Sequence, residues 1–164
     1  ALLSPLSEAA LVDLLVDHAD EPHAAAIARA LHGQPIATTT QLAHLVRRAL
    51  RTTVPEATRQ QEIRKALQRT LQALRIAVND EFRALEQFLA FLPVCLRPAG
   101  RVAILTFHSG EDRRVKNAFQ AGNRDGVYER IARDPVRPSA EERRANPRSS
   151  SAKLRWAVKA GASD

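Results

Sequence analysis

The sequence predicts a helix-rich α/β fold, and three observations carry that prediction. Apolar residues recur at helical spacing over most of the first 92 residues. A β-branched apolar run occupies residues 101–106, and residues 153–159 alternate apolar with polar or small side chains. The 164 residues are 45% hydrophobic, which is enough for a core. We therefore expect helices first and a small sheet in the last third.

The helices are predicted from spacing and capping residues. Residues 6–32 predict two short helices with a break near Pro22. A third helix should begin after Thr38, because Thr38 and Gln41 have the spacing of a capping box. A single long helix is then predicted from about residue 56 to residue 92, because leucines recur there at steps of three or four.

The last third is predicted to contain three strands and two helices. The run at residues 101–106 is typical of a strand covered on both faces, and Ser109 is expected to cap a helix over residues 110–121. A strand near residues 128–132 and a short helix capped by Ser139 should follow. The final strand is expected to bury the face that carries Leu154, Trp156 and Val158.

Positive charge is concentrated in the last part of the chain. The formal net charge is +7, and residues 96–164 hold 15 Lys and Arg against 8 Asp and Glu, while residues 1–95 hold 10 of each sign. Arginine dominates the basic part, and its planar fork suits bidentate contact with phosphate. This distribution favours a nucleic-acid partner, with a solvated basic face as the alternative.

Other features exclude several classes of protein. The single Cys95 excludes an intramolecular disulfide, fits a reducing compartment such as the cytoplasm, and is expected to be a buried apolar residue. No apolar stretch approaches the roughly 20 residues of a membrane span, so we expect no membrane partner. The spacing of the histidines predicts no metal site.

The first candidate site follows the strand at residues 101–106. In sheets flanked by helices, ligands collect at the carboxyl ends of strands, beside helix N-termini. Phe107 can stack on a base, His108 can hydrogen-bond to one, and the amides after Ser109 can hold an anion. The alternative is that these three residues only fill the core, satisfy a carbonyl and cap a helix.

The second candidate site is the basic loop at residues 146–155. Arg148, Lys153 and Arg155 alternate there with serine hydroxyls after a proline turn. Cations, hydroxyls and amides in one short loop suit an RNA backbone. A solvated basic loop remains the alternative.

Three blocks of sequence resemble a known family. The motif FHSxEDRxVK at residues 107–116, the block ALRIAVNDE at residues 73–81 and the motif NPRSxSAKLR at residues 146–155 are similar to the signature blocks of the RsmH (MraW) family. Enzymes of that family use S-adenosylmethionine to methylate N4 of a cytidine in bacterial 16S rRNA. The resemblance spans essentially the whole chain, although Gly110 stands where the family usually has leucine.

The resemblance implies a fold and a domain organisation. It implies an incomplete Rossmann-like methyltransferase core with an all-helical inserted subdomain. Residues 1–60 would be the insertion, which orients RNA, and residues 61–164 the C-terminal part of the core. The glycine-rich loop for S-adenosylmethionine would lie upstream of Ala1, because none of the six glycines forms a GxG motif. The chain alone is therefore expected to be inactive.

The resemblance also implies roles for individual residues, without assigning a catalytic one to this chain. The pocket wall would be formed by Phe107, His108 and Ser109, and the RNA contacts by Arg113, Arg148, Ser149, Lys153 and Arg155. The cofactor side would include Asn79 and Asp80, which an ordinary polar pair on a helix surface explains equally well.

The expected partner is 16S rRNA or the small ribosomal subunit. A dimer is a further expectation, because an incomplete sheet leaves the strand at 101–106 with an exposed edge. A noncatalytic RNA-binding or ribosome-assembly module without the cofactor half is the alternative function.

Overall fold

The chain folds into two compact units in a computed structural model that describes residues 5–161. The units are Ala1–Glu81 and Phe82–Asp164. Within the described residues, no helix is both long enough and apolar enough to cross a membrane.

The described elements of the first unit are all helices. They are α1 (Glu8–Ala19), α2 (Ala24–Leu31), α3 (Thr39–Thr53), a 3-10 turn (Glu56–Thr58) and α4 (Arg59–Asn79). The core is formed by the leucine-rich faces of α1 to α3 and by small residues of α4 such as Ala66 and Ala73. The predicted break between α1 and α2 is confirmed.

Capping explains where these helices begin. Ser7 accepts a hydrogen bond from the amide of Ala10 at the start of α1. At the start of α3, the Thr38 hydroxyl accepts from the Gln41 amide while the Gln41 side chain accepts from the Thr38 amide. The predicted capping box is therefore confirmed, and it satisfies amides that a helix N-terminus otherwise leaves without partners.

The predicted single helix from residue 56 to residue 92 is wrong. The helix ends at Asn79, Asp80 adopts a left-handed conformation with φ of 52°, and α5 (Glu81–Cys95) begins directly after it. Asp is among the few residues other than glycine that visit this conformation at modest cost. α4 packs on α1 and α3 and therefore belongs to the first compact unit. The expected boundary of the inserted subdomain at residue 60 stays a prediction.

The second unit holds α5 and a three-stranded antiparallel sheet. Its other elements are β1 (Arg101–Thr106), α6 (Ser109–Arg124), β2 (Tyr128–Ile131), α7 (Ala140–Ala145), a 3-10 turn (Pro147–Ser151) and β3 (Lys153–Lys159). The strand order is β1-β3-β2, so β3 is central. Val115 and Phe119 of α6 pack with residues of α5 and the sheet in one core. The structure is therefore helix-rich with a small sheet, as the sequence predicts, and the sheet is antiparallel.

Two predictions about strand burial are wrong. β1 is not covered on both faces, because its residues alternate between exposed and partly buried, and Leu105 is exposed. In β3 the buried residues are Arg155, Ala157 and Val158, while Leu154 and Trp156 are only partly buried. α6 covers the face of Arg155, so the aromatic ring of Trp156 is left on the more open side.

Cys95 is also exposed, contrary to the prediction of a buried thiol. It is the last residue of α5, whose final turn contains Pro93. The Lys159 ammonium lies 2.7 Å from the carbonyl oxygens of both Pro93 and Leu96 and satisfies them at this helix end. This contact holds the end of β3 against the end of α5.

Candidate nucleic-acid interface

The pairing of β1 with β3 brings the two candidate segments together. Thr106, the last residue of β1, is opposite Lys153, the first residue of β3. The Thr106 hydroxyl also donates to the Lys153 carbonyl at 3.2 Å. The segment that begins at Phe107 and the loop that ends before Lys153 therefore meet at one edge of the sheet, which we call the strand-end surface (residues 106–113 and 146–155).

The first turn of α6 is organised by His108 rather than by Ser109. His108 is the N-cap, and its Nδ1 accepts from the Glu111 amide at 3.4 Å. The Glu111 carboxylate in turn accepts from the Phe107 amide at 3.0 Å. The predicted cap at Ser109 is therefore wrong by one residue. The His108 imidazole accepts the amide hydrogen bond that a short hydroxyl side chain usually accepts at an N-cap.

The cap also assigns the tautomer of the neutral His108 ring. Because Nδ1 accepts a hydrogen bond, the ring proton of the neutral form is on Nε2, which lies 3.2 Å from Glu111 Oε1. The hydrogen bond with His108, assisted by the Phe107 amide, holds the pKa of Glu111 below its ordinary value despite partial burial. Both ring nitrogens of His108 thus face neighbours within the turn.

Phe107 presents its ring to solvent. The side chain is 52% exposed, although its backbone amide is held by Glu111. A fixed backbone with an exposed aromatic ring is a suitable stacking platform for a base. The alternative that Phe107 fills the core is not what the structure shows.

A second aromatic ring lies behind the His108 cap. The Phe82 ring centroid is 5.8 Å from that of His108, and the Arg114 guanidinium carbon is 3.4 Å from the Phe82 centroid. Gly110 leaves the space for Phe82, because a Cβ at Gly110 would lie 2.5 Å from the Phe82 ring. Leucine at this position would require the ring to move.

A buried ion cluster joins α6 to β3. Arg155 is 5% exposed and Asp112 is 8% exposed. Arg155 Nε lies 2.7 Å from Asp112 Oδ1, and Lys153 Nζ lies 3.1 Å from Oδ2. Burial would raise the pKa of Asp112, but the hydrogen bonds from Arg155 and Lys153 more than offset it and hold that pKa below its ordinary value. The carboxylate therefore stays charged and anchors both cations.

The predicted RNA-binding residues differ in how open they are. Arg148 is exposed, whereas Ser149 is buried with its hydroxyl donating to the Asn146 carbonyl at 2.8 Å. Lys153 keeps about a fifth of its side chain in solvent, and its ammonium is bound to Asp112. Ser109 and Arg113 are exposed on the first turns of α6. The structure thus brings these residues to one surface but buries Ser149 and Arg155 inside it.

Asn79 and Asp80 belong to the first unit. The Asn79 side chain donates to Glu81 Oε1 at 3.1 Å, and Glu81 also pairs with Arg75 at 2.9 Å. Asp80 provides the left-handed residue between α4 and α5. These contacts give both residues a structural role at the helix junction.

Neither a GxG turn nor a cluster of metal-ligand side chains is found in the described part of the chain. None of the glycines is arranged as a GxG turn, and such a turn is what allows a backbone to approach a nucleotide closely. Residues 5–161 also contain no cluster of three or more His, Cys, Asp or Glu side chains placed to hold a metal ion.

A family model described as the MraW methylase family matches residues 1–160. The chain belongs to the MraW methylase family. The ribosomal RNA small subunit methyltransferase H 2 of Alkaliphilus metalliredigens is 52% identical over 98% of this chain and 47% of the relative. Methyltransferase H 1 of Lachnoclostridium phytofermentans is 47% identical over 96% of this chain and 44% of the relative. The chain thus spans about half the length of the curated relatives it matches.

Methyltransferase H of Acidobacterium capsulatum is 40% identical over 96% of this chain and 52% of its own length. Membership in the MraW methylase family therefore rests on matches along nearly the whole chain, and it confirms the family that the sequence motifs indicated.

Sequence reasoning missed the central position of Asp112. In the structure it pairs with Lys153 and Arg155, two of the predicted RNA-binding cations. The sequence signal for this role is that Asp112 is an acidic residue inside one of the most basic segments of the chain. Two nearby cations favour such an ion cluster.

Proposed function

We propose that this chain is the C-terminal part of an S-adenosylmethionine-dependent enzyme that methylates N4 of a cytidine in 16S rRNA. The strand-end surface is the part of this chain that holds the RNA. The register of Thr106 with Lys153 is the observation that carries the proposal, because it joins an exposed aromatic ring and a basic loop at one edge of the sheet.

The residues of the surface divide into contacts and supports. Phe107 stacks on the extruded base or on a neighbour, and Arg148 binds a phosphate. Lys153 approaches the RNA with the exposed part of its ammonium. The supports are Asp112 and Arg155, which hold β3 against α6.

The remaining predicted contacts keep proposed roles of their own. Ser109 and Arg113 lie on the exposed side of the first turns of α6, where hydroxyl and guanidinium groups suit phosphate. His108 positions Phe107 through the shared Glu111 carboxylate. Ser149 shapes the turn that carries Arg148 by binding the Asn146 carbonyl.

The methyl donor binds largely to residues outside this chain. S-adenosylmethionine would supply the methyl group, and the exocyclic amine must be unstacked from the RNA to reach it. Asn79 and Asp80 stay a proposal for the cofactor side, although their contacts within the helix junction do not require it. No catalytic group of this chain is assigned.

The wider organisation follows from the same proposal. Residues 1–60 form a lobe that orients RNA, residues 61–164 complete the methyltransferase core, and the enzyme acts on the small ribosomal subunit in the cytoplasm. A dimer through the free edge of β1 remains part of the proposal, because β1 pairs only with β3 among the described strands.

The direct test is a chimera in which this chain replaces the matching half of the Alkaliphilus metalliredigens relative. The chimera is incubated with S-adenosylmethionine carrying a labelled methyl group and with small ribosomal subunits that lack the modification. We expect label in 16S rRNA and N4-methylcytidine in the nucleoside digest, whereas this chain alone transfers none.

Other outcomes separate the competing functions. Label on another nucleoside would contradict the proposed specificity. A chimera that binds both RNA and S-adenosylmethionine without methyl transfer would favour the noncatalytic RNA-binding module. Binding of S-adenosylmethionine by the 164-residue chain alone, measured by calorimetry, would contradict the location of the cofactor site.

A further inference from the structure

An open groove lies along the β2 side of the second unit. It has a volume of about 600 Å³, within the range of about 300–1,000 Å³ typical of ligand sites. The last turns of α6, strand β2 and Trp156 of β3 line it. Its lining includes Gln120, Arg124, Arg130, Arg133 and Trp156, and Glu129 is the one acidic side chain of the lining.

The three arginines of this groove are not neutralised by neighbours. Arg124, Arg130 and Arg133 are exposed, and none of them forms a salt bridge within residues 5–161. By contrast, Arg114, Lys153 and Arg155 of the same unit each bind a carboxylate. Three uncompensated guanidinium groups around one cavity favour an anionic ligand, and their forks suit phosphate oxygens.

The aromatic member of the groove is the only tryptophan of the chain. Trp156 is partly buried in β3, and it also lines a second cavity of about 430 Å³ on the sheet face, again beside Arg130. A ring held in a strand next to cations can stack on a base, and such stacking tolerates any base. Aromatic stacking combined with phosphate contacts is typical of sites for single-stranded nucleic acid.

The groove is physically connected to the strand-end surface. The Arg133 carbonyl accepts from Arg155 Nη1 at 3.3 Å, and the same guanidinium binds Asp112. Along α6, Asp112 and Gln120 are separated by about 12 Å at 1.5 Å per residue. A strand of RNA that passes the strand-end surface can therefore continue into the groove within a few nucleotides.

We infer that this groove is a second RNA site, which binds single-stranded nucleotides that flank the modified cytidine. Arg130 and Arg133 bind phosphates, and Trp156 stacks on one base. The inference rests on the proposed function for the identity of the RNA, but it assigns a separate location and separate residues.

The test uses the single tryptophan as a reporter. A fluorescein-labelled single-stranded RNA of about twelve nucleotides with one central cytidine is titrated with this chain, and binding is followed by anisotropy. The unlabelled RNA is titrated in parallel while Trp156 emission is recorded. We expect saturable quenching with the same midpoint as the anisotropy curve, and much weaker quenching by a duplex of the same sequence.

Charge variants locate the contacts. The double variant Arg130→Gln/Arg133→Gln should weaken binding at least several-fold and lower the slope of log affinity against log salt by about 1.4, because two phosphate contacts are lost. Arg97→Gln removes an exposed charge from the loop before β1 and is the control, with an expected change of less than two-fold. Circular dichroism checks that each variant is folded.

Three outcomes would overturn the inference. Unchanged Trp156 emission on RNA binding, equal affinity of the double variant and the control, or equal quenching by duplex RNA each excludes a single-strand site in the groove. In the first two cases the strand-end surface could still bind RNA, so the proposed function would stand. Weaker binding by Arg148→Gln, with full quenching of Trp156 still reached at high RNA concentration, would support the inference by showing that the groove binds RNA separately from the strand-end surface.

Discussion

Arg155 binds both carboxylate oxygens of Asp112, with 2.7 Å between Nε and Oδ1 and 3.3 Å between Nη2 and Oδ2. The pair joins the central strand of the sheet to the first turn of α6. Because Phe107 and His108 directly precede that turn, the same contact sets the position of the strand-end surface. The buried ion pair therefore fixes the geometry of this edge of the sheet.

Removing the charge of Asp112 should destabilise the second unit. In Asp112→Asn, Arg155 would be left buried without a counter-charge, and loss of one partner of a buried pair costs about 3–5 kcal/mol. Urea unfolding followed by the emission of Trp156, which lies in the second unit, measures the change. The control Glu86→Gln breaks the exposed pair with Arg114 and should cost about 1 kcal/mol or less. Equal losses of unfolding free energy in the two variants would show that the buried pair contributes no more to stability than the exposed pair.

The stability of the second unit should fall in acid. The pKa values of Asp112 and Glu111 are held below their ordinary values in the folded state. Their contribution is therefore complete above the unfolded pKa values of about 4, and it is lost as the pH falls through the lower, folded values. Urea midpoints measured between about pH 3 and pH 7 should decline at the acid end, and less steeply in Asp112→Asn. An equally steep decline of the urea midpoint in Asp112→Asn would show that the protonation of Asp112 does not cause the loss of stability in acid.

Two residues of the strand-end surface should affect RNA binding in different ways. Arg148→Gln should make the slope of log affinity against log salt shallower by about 0.7, because one phosphate contact is lost. Phe107→Leu should leave the slope unchanged and weaken binding by about 1–3 kcal/mol through loss of stacking. Anisotropy titrations at several salt concentrations distinguish the two effects. A salt slope that changes equally in both variants would contradict these roles.

The helical unit contains a buried acid that is only partly satisfied. Glu21 is 2% exposed, and its Oε1 accepts from the His23 amide at 3.0 Å. Its Oε2 lies 3.7 Å from Arg69 Nη1, which is an ion pair but is too long for a hydrogen bond. Glu21→Gln should cost about 1–3 kcal/mol in thermal or urea unfolding, because a buried charge partner is removed. Glu62→Gln, which breaks the partly exposed pair with Lys65, should cost less than about 1 kcal/mol.

The sequence predicts the presence of most helices of this protein correctly. It predicts the ends of the helices and the buried faces of the strands less well. Leucine spacing and the Thr38 capping box identify the first three helices, because these features act locally. The break at Asp80 is missed because the apolar periodicity continues across it, and a single left-handed residue leaves no gap in that pattern.

Long-range pairing explains the other errors. The run at residues 101–106 is apolar throughout, so its composition does not show which face α6 covers. In β3, the buried face contains Arg155, which hydropathy assigns to solvent, and its burial depends on Asp112 more than 40 residues away in sequence. The two segments that the motifs indicate lie side by side in the structure, but the exposure of each side chain within them depends on tertiary contacts.

Hydrogen exchange with and without RNA tests the central claim most directly. Backbone amides of residues 106–113 and 146–155 are followed by mass spectrometry while the single-stranded RNA is titrated into this chain. If the strand-end surface is one binding site, both segments become protected with the same RNA midpoint. Protection of only one segment, or of neither while anisotropy reports binding, would contradict the account.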